Sequence, residues 1–204
     1  MNNHNVVVID LGMSNINSVC NMVKKVGGKF IITSRQDTIR NATKIILPGV
    51  GSFDQGMKSL KSKRLIPVLN EMVLIKKTPI LGICLGMQLM TLKSLEGNSK
   101  GLGWFNAKCK KFDSNLIKVP HIGWNYVENL KEGSILGSKG EKRRFYFVHS
   151  YFISCKEKSE ILSKTFYGNL FVSGIQRDNI IGVQFHPEKS HSYGMTLMKN
   201  FINF

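Results

Sequence analysis

The pentapeptide Gly82-Ile83-Cys84-Leu85-Gly86 constrains the fold of this chain more than any other stretch. An apolar run, Pro79-Ile80-Leu81, precedes it, and a run of helical character at 87–92 follows it. This order of strand, glycine-flanked cysteine and helix is the pattern of a nucleophile elbow with cysteine in place of serine. Glycine is needed on both sides because a side chain there would collide with the neighbouring strand and helix. The pattern predicts Cys84 at a helix start, where free N–H groups and the helix dipole favour the reactive thiolate.

The same pentapeptide has a second interpretation. An isolated cysteine between apolar residues is often a small buried hydrophobic residue with no chemical role. Five residues do not decide between a nucleophile and a core side chain, so the decision depends on what the rest of the chain supplies.

Hydrophobic periodicity divides the chain into two halves. Val6–Ile9 is wholly apolar, as in a strand buried on both faces of a parallel sheet, and a helix is predicted from a cap at Ser14 or Asn15 to about Val26. Strands at 30–32, 45–47 and 79–83 alternate with helices at about 53–60 and 66–76, and the elbow helix is predicted to reach about Lys93. In the second half, strands are predicted at 104–112, 116–119, 124–127, 145–148, 151–153, 161–167, 170–175 and 180–185, before an amphipathic helix at 193–204. The sequence therefore predicts an α/β fold with an open, mostly parallel sheet flanked by helices, additional antiparallel strands in the second half, and a single domain at 1–204.

Composition narrows the classes of function. The chain is 42% hydrophobic and 21% charged, which is typical of a soluble globular protein, and no apolar run approaches the roughly 20 residues of a membrane span. The N-terminus lacks the basic start of a secretory signal, so we expect a cytoplasmic protein with no membrane association. Its four cysteines are widely spaced without a C-x-x-C pair, which predicts reduced thiols and no metal site.

The net charge of +16 has several interpretations. It is compatible with a solvated lysine-rich surface, with attraction of phosphorylated ligands, or with an acidic partner. The basic residues are scattered in small groups that are not interleaved with aromatic residues in a nucleic-acid module, so we do not expect nucleic-acid binding.

Two further motifs could complete a site around Cys84. His186 and Glu188 follow the last predicted strand with a proline between them, which keeps His186 extended and lets both side chains project to one side. A carboxylate there can fix the imidazole tautomer and stabilise the imidazolium, so that His186 can take the proton of a thiol. The turn Pro48-Gly49-Val50-Gly51 lets backbone N–H groups approach a ligand. Each motif alone is equally typical of an ordinary turn.

The combination is more specific than its parts. The pair G-I-C-L-G-M-Q and Q-F-H-P-E-K-S resembles the signature of class I, triad-type, glutamine amidotransferases. Further stretches at 47–51, 101–103, 118–125 and 146–151 are similar to the glutaminase subunits of bacterial imidazole glycerol phosphate synthase. The resemblance covers nearly the whole chain, with the motifs in the expected order.

The resemblance implies a role for each matching position. It implies a triad in which Cys84 is the nucleophile, His186 the base and then the acid, and Glu188 the residue that orients the histidine. It implies an oxyanion hole formed by the backbone N–H groups of Gly49, Val50, Gly51 and Leu85. It implies contacts to glutamine from Gln88, Ser150 and Tyr151, and it places Trp124, Tyr146 and Lys189 near a subunit interface and ammonia tunnel.

The implied reaction is hydrolysis of glutamine through a cysteine thioester, without a metal or organic cofactor. The implied partner is a (β/α)₈ barrel cyclase subunit that forms a heterodimer with the chain and receives the ammonia for histidine biosynthesis.

Some positions depart from the family pattern. Asp10-Leu11-Gly12, Asn106-Ala107 and His191-Ser192-Tyr193 differ from the residues usual there. None belongs to the triad, but the differences leave open a paralogous subunit that supplies ammonia for amidation of a surface-polysaccharide sugar. A non-catalytic scaffold on the same fold is a more remote alternative, because such proteins lose the triad.

Overall fold

The structure is a computed structural model that describes residues 5–12 and 15–204. The strands are β1 (Asn5–Ile9), β2 (Lys29–Thr33), β3 (Lys44–Gly49), β4 (Ile80–Cys84), β5 (Lys93–Ser94), β6 (Ala107–Lys111), β7 (His121–Asn129), β8 (Lys142–His149), β9 (Tyr151–Cys155), β10 (Ile161–Tyr167), β11 (Asn169–Arg177) and β12 (Ile180–Val183). The α-helices are α1 (Ile16–Lys25), α2 (Gln36–Arg40), α3 (Phe53–Ser62), α4 (Leu65–Asn70), α5 (Leu85–Leu89) and α6 (His191–Ile202). A π-helical turn, Glu71–Ile75, continues α4.

The strands form one twelve-stranded sheet whose main path runs β2-β1-β3-β4-β12-β11-β10-β7-β8. From β2 to β12 every neighbouring pair is parallel, whereas the pairs from β12 to β8 are antiparallel. The strand β9 joins the sheet through β11, and it carries β6 and β5 beyond it. The predicted α/β fold, with a parallel sheet extended by antiparallel strands, is therefore confirmed.

Side-chain alternation along the central strands gives the sheet an apolar core on each face. Val7 and Ile9 of β1 pack with α3, α4 and α5, while Val6 and Val8 point to the other face and pack with α1 and α6. The strand is hydrophobic throughout because both faces are covered. This arrangement places the carboxyl ends of β3, β4 and β12 side by side, where a parallel sheet builds its sites.

Several element predictions were wrong. Residues 116–119 form no strand, because the Asp113 backbone carbonyl accepts the N–H groups of Leu116 and Ile117 and closes a turn instead. The elbow helix ends at Leu89, not near Lys93, because the N–H groups of 102–104 take the backbone carbonyls of 89–91. The strand predicted from 104 begins only at Ala107.

The helix-cap prediction for α1 has two outcomes. Asn15 occupies the cap position of α1 but makes no side-chain capping hydrogen bond. The alternative cap, Ser14, lies outside the described residues.

Candidate active site

Cys84 lies at the last position of β4, immediately before α5, in a strained backbone conformation. Its φ of +53° is in the left-handed region that side-chain-bearing residues seldom adopt. The two flanking glycines explain how the chain accommodates the turn. A Cβ on Gly82 would lie 2.7–2.8 Å from atoms of Met90, Gly86 and Met87, and a Cβ on Gly86 would overlap the backbone carbonyl oxygen of Leu47 in β3. The collisions expected from the sequence are therefore present: a side chain at Gly82 would meet α5 and the residue after it, and a side chain at Gly86 would meet β3.

His186 and Glu188 form a buried pair close to Cys84. The imidazole Nδ1 of His186 lies 2.7 Å from Oε1 of Glu188, and the two side chains are 2% and 4% exposed. Its Nε2 is buried and has no hydrogen-bond partner among the described residues, which leaves it available to a substrate. Burial lowers the pKa of His186, but the interactions with Cys84 and Glu188 outweigh that effect and raise the pKa to about 10. The site therefore favours the imidazolium form of His186 beside the thiol sulfur.

The backbone of His186 is held by β8 and by a serine. The N–H of His186 donates to the carbonyl of Tyr146 at 2.9 Å. The Ser190 hydroxyl donates to the His186 carbonyl at 2.6 Å and accepts the Tyr146 N–H at 3.0 Å. The sequence-based prediction missed Ser190, although it lies only two residues after Glu188 in the same motif.

A pocket of about 460 Å³ opens beside Cys84. Seven of its ten lining residues are predicted site residues. The pocket is lined by Val50, Gly51, Cys84, Leu85, Gln88, Glu96, Val148, His149, Ser150 and Tyr151. Glu96 is a site residue that sequence reasoning missed. Its Oε2 accepts the N–H of Phe53 at 2.8 Å at the start of α3, so this carboxylate is fixed against the positive end of a helix.

The pocket wall behind Cys84 is a chain of amide groups. Gln88 Nε2 donates to the Tyr151 carbonyl at 3.1 Å and to Gln184 Oε1 at 3.0 Å. Gln184 Nε2 in turn donates to Cys84 Sγ at 3.6 Å. Both N–H groups of Gln88 are thus used within the wall, and its Oε1 is the atom that it can offer to a ligand. Gln184 was not predicted as a site residue, although it opens the Q-F-H-P-E motif.

The glycine-rich turn lies next to the elbow. Gly49 pairs in register with Cys84, and a Cβ on it would lie 3.1 Å from Leu85 Cβ and 3.3 Å from the Gly86 nitrogen. Gly51 has a φ of +100°, a conformation that suits glycine. The structure thus brings the turn and Leu85 to one side of the Cys84 pocket.

The three positions expected near a subunit interface form a surface group outside the pocket. Trp124 pairs in register with Tyr146, and their rings meet edge to face at 6.2 Å. The Lys189 ammonium lies 5.7 Å from the centre of the Tyr146 ring. Trp124 is 38% exposed and is also stacked against His191, with ring centres 5.4 Å apart.

This arrangement has the parts required for nucleophilic attack on a carbonyl carbon. It combines a thiol at a helix start, an imidazole oriented by a carboxylate, and a pocket with polar walls. Within residues 5–12 and 15–204, no group of three or more His, Cys, Asp or Glu side chains could hold a metal ion. No helix in the described part of the chain has the length and apolar character needed to cross a membrane.

Comparison with known proteins gives consistent matches over nearly the whole chain. The family model described as glutamine amidotransferase class-I matches residues 7–204. The chain is 54% identical over 198 residues to a Methanococcus maripaludis protein named imidazole glycerol phosphate synthase subunit HisH 2, covering 97% of this chain and 98% of the relative. A Pseudomonas aeruginosa protein of the same name is 48% identical over 198 residues, with 97% and 98% covered. The solved structure of PurLQS from Thermotoga maritima shares the fold, with a TM-score of 0.76 and 16% identity over 98% of this chain and 97% of that chain.

Proposed function

The chain belongs to the class-I glutamine amidotransferase family, and from that premise we propose that it is the glutaminase subunit of an imidazole glycerol phosphate synthase. The observation that carries the proposal is the buried Cys84, His186 and Glu188 group beside a pocket with polar walls. The named relatives, which match over nearly their full length, support the assignment. The intact triad argues against a non-catalytic scaffold.

The proposed reaction proceeds in two steps through Cys84. The thiolate adds to the side-chain amide carbon of glutamine, and the C–N bond breaks as the His186 imidazolium gives its proton to the departing nitrogen. Ammonia leaves, and a γ-glutamyl thioester remains on Cys84. In the second step, neutral His186 takes a proton from water, the hydroxide breaks the C–S bond, and glutamate is released while the starting ion pair re-forms. Glu188 keeps the imidazole oriented and stabilises its charge in both steps.

Developing negative charge on the amide oxygen requires donors that are in place beforehand. We assign this role to the backbone N–H of Leu85 at the start of α5 and to the turn Gly49-Val50-Gly51. Removal of one such donor typically costs about 3 kcal/mol of transition-state stabilisation.

The pocket walls supply groups for both ends of an amino-acid substrate. We assign the α-ammonium group of glutamine to the Glu96 carboxylate and to Oε1 of Gln88, because both residues line the pocket and each offers an acceptor oxygen. Ser150 and Tyr151 also line the pocket and would contact the substrate through their backbone.

The partner in this proposal is a cyclase subunit, which we expect to be a (β/α)₈ barrel that receives the ammonia. We assign its docking face to Trp124, Tyr146 and Lys189, together with Ile122 and Tyr126, which are 58% and 57% exposed on β7. A surface with several exposed aromatic and aliphatic side chains is typical of a protein interface. Tyr146 also supports the His186 backbone, so this face adjoins the triad.

The remaining expectations extend the proposal. We propose that residues 1–204 act as one domain, since a single sheet connects both halves of the chain. We also propose a cytoplasmic location, because all four cysteines are free thiols, as expected in a reducing compartment.

A second candidate keeps the glutaminase chemistry and changes the pathway. Both relatives described above have the number 2 in their names, which suits organisms with more than one such subunit. One copy could then supply ammonia for amidation of a surface-polysaccharide sugar. Complementation of a strain that lacks the histidine-pathway subunit separates the two pathways, since growth without histidine excludes an exclusively sugar-directed role.

The central test measures glutamate release with and without the cyclase subunit. Cys84→Ala is expected to abolish the activity, whereas Cys155→Ser, a change at a half-buried thiol outside the pocket, is expected to retain it. Activity that persists in Cys84→Ala would refute the proposed mechanism.

A further inference from the structure

Two histidines that have no part in the mechanism above are buried beside the glutamine pocket. His121 of β7 and His149 of β8 are paired in register, and they are 3% and 7% exposed. Aromatic rings surround them. The His121 ring stacks on Tyr167 at 3.9 Å and on Phe147 at 4.7 Å, and His149 lies 5.3 Å from the ring of Phe112. Two adjacent polar rings in an apolar layer are costly unless every nitrogen is satisfied.

Each of the four ring nitrogens has a hydrogen-bond partner. Nδ1 of His149 lies 2.8 Å from the Tyr151 carbonyl oxygen, and its Nε2 lies 3.0 Å from Nδ1 of His121. Nε2 of His121 lies 3.3 Å from Nδ2 of Asn125. The Asn125 amide has a fixed orientation, because its Nδ2 also donates to the Phe166 carbonyl at 2.9 Å and its Oδ1 accepts the Tyr126 N–H at 2.7 Å.

These partners assign every proton in the chain. A carbonyl oxygen can only accept, so Nδ1 of His149 carries a proton and donates it to Tyr151. In a neutral ring, Nε2 of His149 is then an acceptor, and Nδ1 of His121 donates to it. Nε2 of His121 accepts in turn from Asn125, which agrees with the fixed amide orientation. All donors therefore point the same way, from Asn125 towards Tyr151.

The surroundings keep both rings neutral. Burial lowers the pKa of His149 to about 3, although the bond to the Tyr151 carbonyl opposes this, and burial lowers the pKa of His121 to about 4. Protonation of either ring would also turn the acceptor nitrogen into a donor and set two N–H groups against each other, or against Asn125. His121 and His186 act in the same direction, since a positive charge on either of them lowers the pKa of His149 further.

The inner end of this chain reaches the substrate wall. The Tyr151 carbonyl accepts from two donors, His149 Nδ1 and Gln88 Nε2, so both of its lone pairs are used. Gln88 continues to Gln184, which donates to the Cys84 sulfur. The position of the Gln88 Oε1 atom, which we assign to the substrate, thus depends on a carbonyl that His149 holds from behind.

We propose that His121 and His149 are positioning residues whose ordered pair of neutral imidazoles holds the Tyr151 carbonyl, and through it Gln88, in the geometry that binds glutamine. This inference rests on the proposed function. It adds that Asn125 selects the tautomers of both histidines. Asn125 lies between Trp124 and Tyr126 in β7, but its side chain is on the opposite side of the strand from theirs, facing His121. The strand that carries the docking face and the substrate wall are then joined by one directional chain of hydrogen bonds.

The test uses a chloroketone analogue of glutamine that alkylates the Cys84 thiolate. The dependence of the labelling rate on analogue concentration gives the inhibition constant KI, which reports binding, and the limiting rate kinact, which reports thiolate reactivity. His149→Gln can accept from His121 but has no donor at the Nδ1 position, whereas His149→Asn keeps a donor for the Tyr151 carbonyl. We expect KI to rise about tenfold in His149→Gln, with kinact and the melting temperature little changed, and to stay within about twofold of the wild type in His149→Asn.

A second variant tests the chain from its outer end. Asn125→Asp offers only acceptors, so neutral His121 must protonate Nε2, and His149 must then protonate Nε2 as well. Nδ1 of His149 would then face the Tyr151 carbonyl without a proton. At pH 8.5 we expect KI to rise about fivefold in Asn125→Asp and to return to the His149→Asn value in the double variant Asn125→Asp/His149→Asn, because the asparagine donor does not depend on tautomers.

The outcomes separate the two levels of the inference. If wild-type Cys84 shows no saturable labelling, the proposed function fails and the positioning role fails with it. If the wild type labels saturably but His149→Gln has the wild-type KI, only the positioning role is refuted. The same holds if His149→Gln and His149→Asn both change KI and kinact to a similar extent. If His149→Gln does not fold, Asn125→Asp decides. The positioning role is refuted if KI is unchanged in Asn125→Asp, or if KI is raised there and stays raised in Asn125→Asp/His149→Asn.

Discussion

The elbow predicts a specific penalty for one added methyl group, in Gly86→Ala. The new Cβ would overlap the carbonyl oxygen of Leu47 and lie 2.9 Å from its carbonyl carbon. These are backbone atoms of the central strand β3, so no side-chain rotation relieves the contact. The first turn of α5 must instead move away from β3, and this turn carries Cys84 and the Leu85 N–H that we assign to the oxyanion hole.

Two opposing terms set the expected loss of stability. Overpacking costs about 1–3 kcal/mol, and a backbone contact belongs at the upper end of that range. Alanine is favoured over glycine in a helix by about 1 kcal/mol, which offsets part of the cost. The net destabilisation is therefore about 2 kcal/mol, or a melting temperature about 4–8 °C lower for a chain of this size. Activity should fall further, since a shift of about 1 Å in reacting groups can lower the rate about 100-fold.

A matched control lies on the neighbouring helix. Gly56 of α3 faces α5, but a Cβ there would lie 3.0–3.3 Å from the side-chain ends of Leu89 and Leu85, which can rotate. Gly56→Ala should therefore leave both the melting temperature and the rate of glutamate release close to the wild type. The assay compares thermal unfolding and glutamate release for the two variants with the cyclase subunit present. If Gly86→Ala melts within 1 °C of the wild type and keeps at least about a third of its rate, a small residue is not required at the elbow.

Three further predictions concern charge, buried hydrogen bonds and docking. Glu188→Gln keeps an acceptor for His186 but removes the charge, so the pKa of His186 should fall. The alkaline limb of the pH profile of Cys84 labelling should then move to lower pH, and the rate of glutamate release at pH 7 should drop about 100-fold. The raised pKa of His186 stabilises the fold fully below about pH 6.5, and this contribution is lost as the pH rises towards 10. The free energy of unfolding, measured with urea, should therefore fall less between pH 6.5 and 10 in Glu188→Gln than in the wild type. Asn179→Ala removes a buried amide that donates to two backbone carbonyls at 2.9 Å each, so urea unfolding should reveal a loss of about 2 kcal/mol, with Cys84 labelling unchanged. Trp124→Ala should weaken binding to the cyclase subunit about tenfold or more by titration calorimetry, and an unchanged affinity would exclude Trp124 from the interface.

Local patterns were sufficient to predict the elements that build the elbow. Val6–Ile9 is apolar at every position because both faces of β1 are covered, and this buried strand indicated a parallel sheet. The two glycines around Cys84 were predicted correctly because their cause is steric and local: atoms of α5 and β3 lie where a side chain would be. Short-range constraints of this kind leave a direct trace in the sequence.

The errors arose where distant parts of the chain compete for backbone groups. Residues 116–119 are apolar enough for a strand, but a turn closed by the Asp113 carbonyl takes their N–H groups, and Leu116 remains 76% exposed. The end of α5 is set by the loop at 101–105, whose N–H groups take its last carbonyls. Neither competition can be inferred from periodicity, because each depends on which segments become neighbours after folding.

The same limit applies to the site residues that were missed. Gln184 reaches Cys84 across 100 positions of sequence, and Glu96 takes its place in the pocket by binding the backbone of Phe53 at 43 positions' distance. His149 was not predicted as a site residue, and a histidine within an apolar strand is equally typical of a core residue. Its four-member hydrogen-bond chain becomes visible only when β7 and β8 pair.

The position of Tyr146 indicates which half of the site a docked partner can influence. Its carbonyl accepts the His186 N–H, its own N–H donates to Ser190, and its ring contacts Trp124 and Lys189 on the proposed docking face. Cys84, by contrast, ends a strand enclosed between β3 and β12 in the parallel core, away from that face. A partner pressing on Trp124 therefore has short physical routes to the base, through Tyr146, and to the substrate wall, through Asn125 and the two histidines. Its route to the Cys84 sulfur passes only through that wall, by way of Gln88 and Gln184. We accordingly expect docking to change glutamine binding and the ionisation of His186, while the elbow geometry at Cys84 stays fixed.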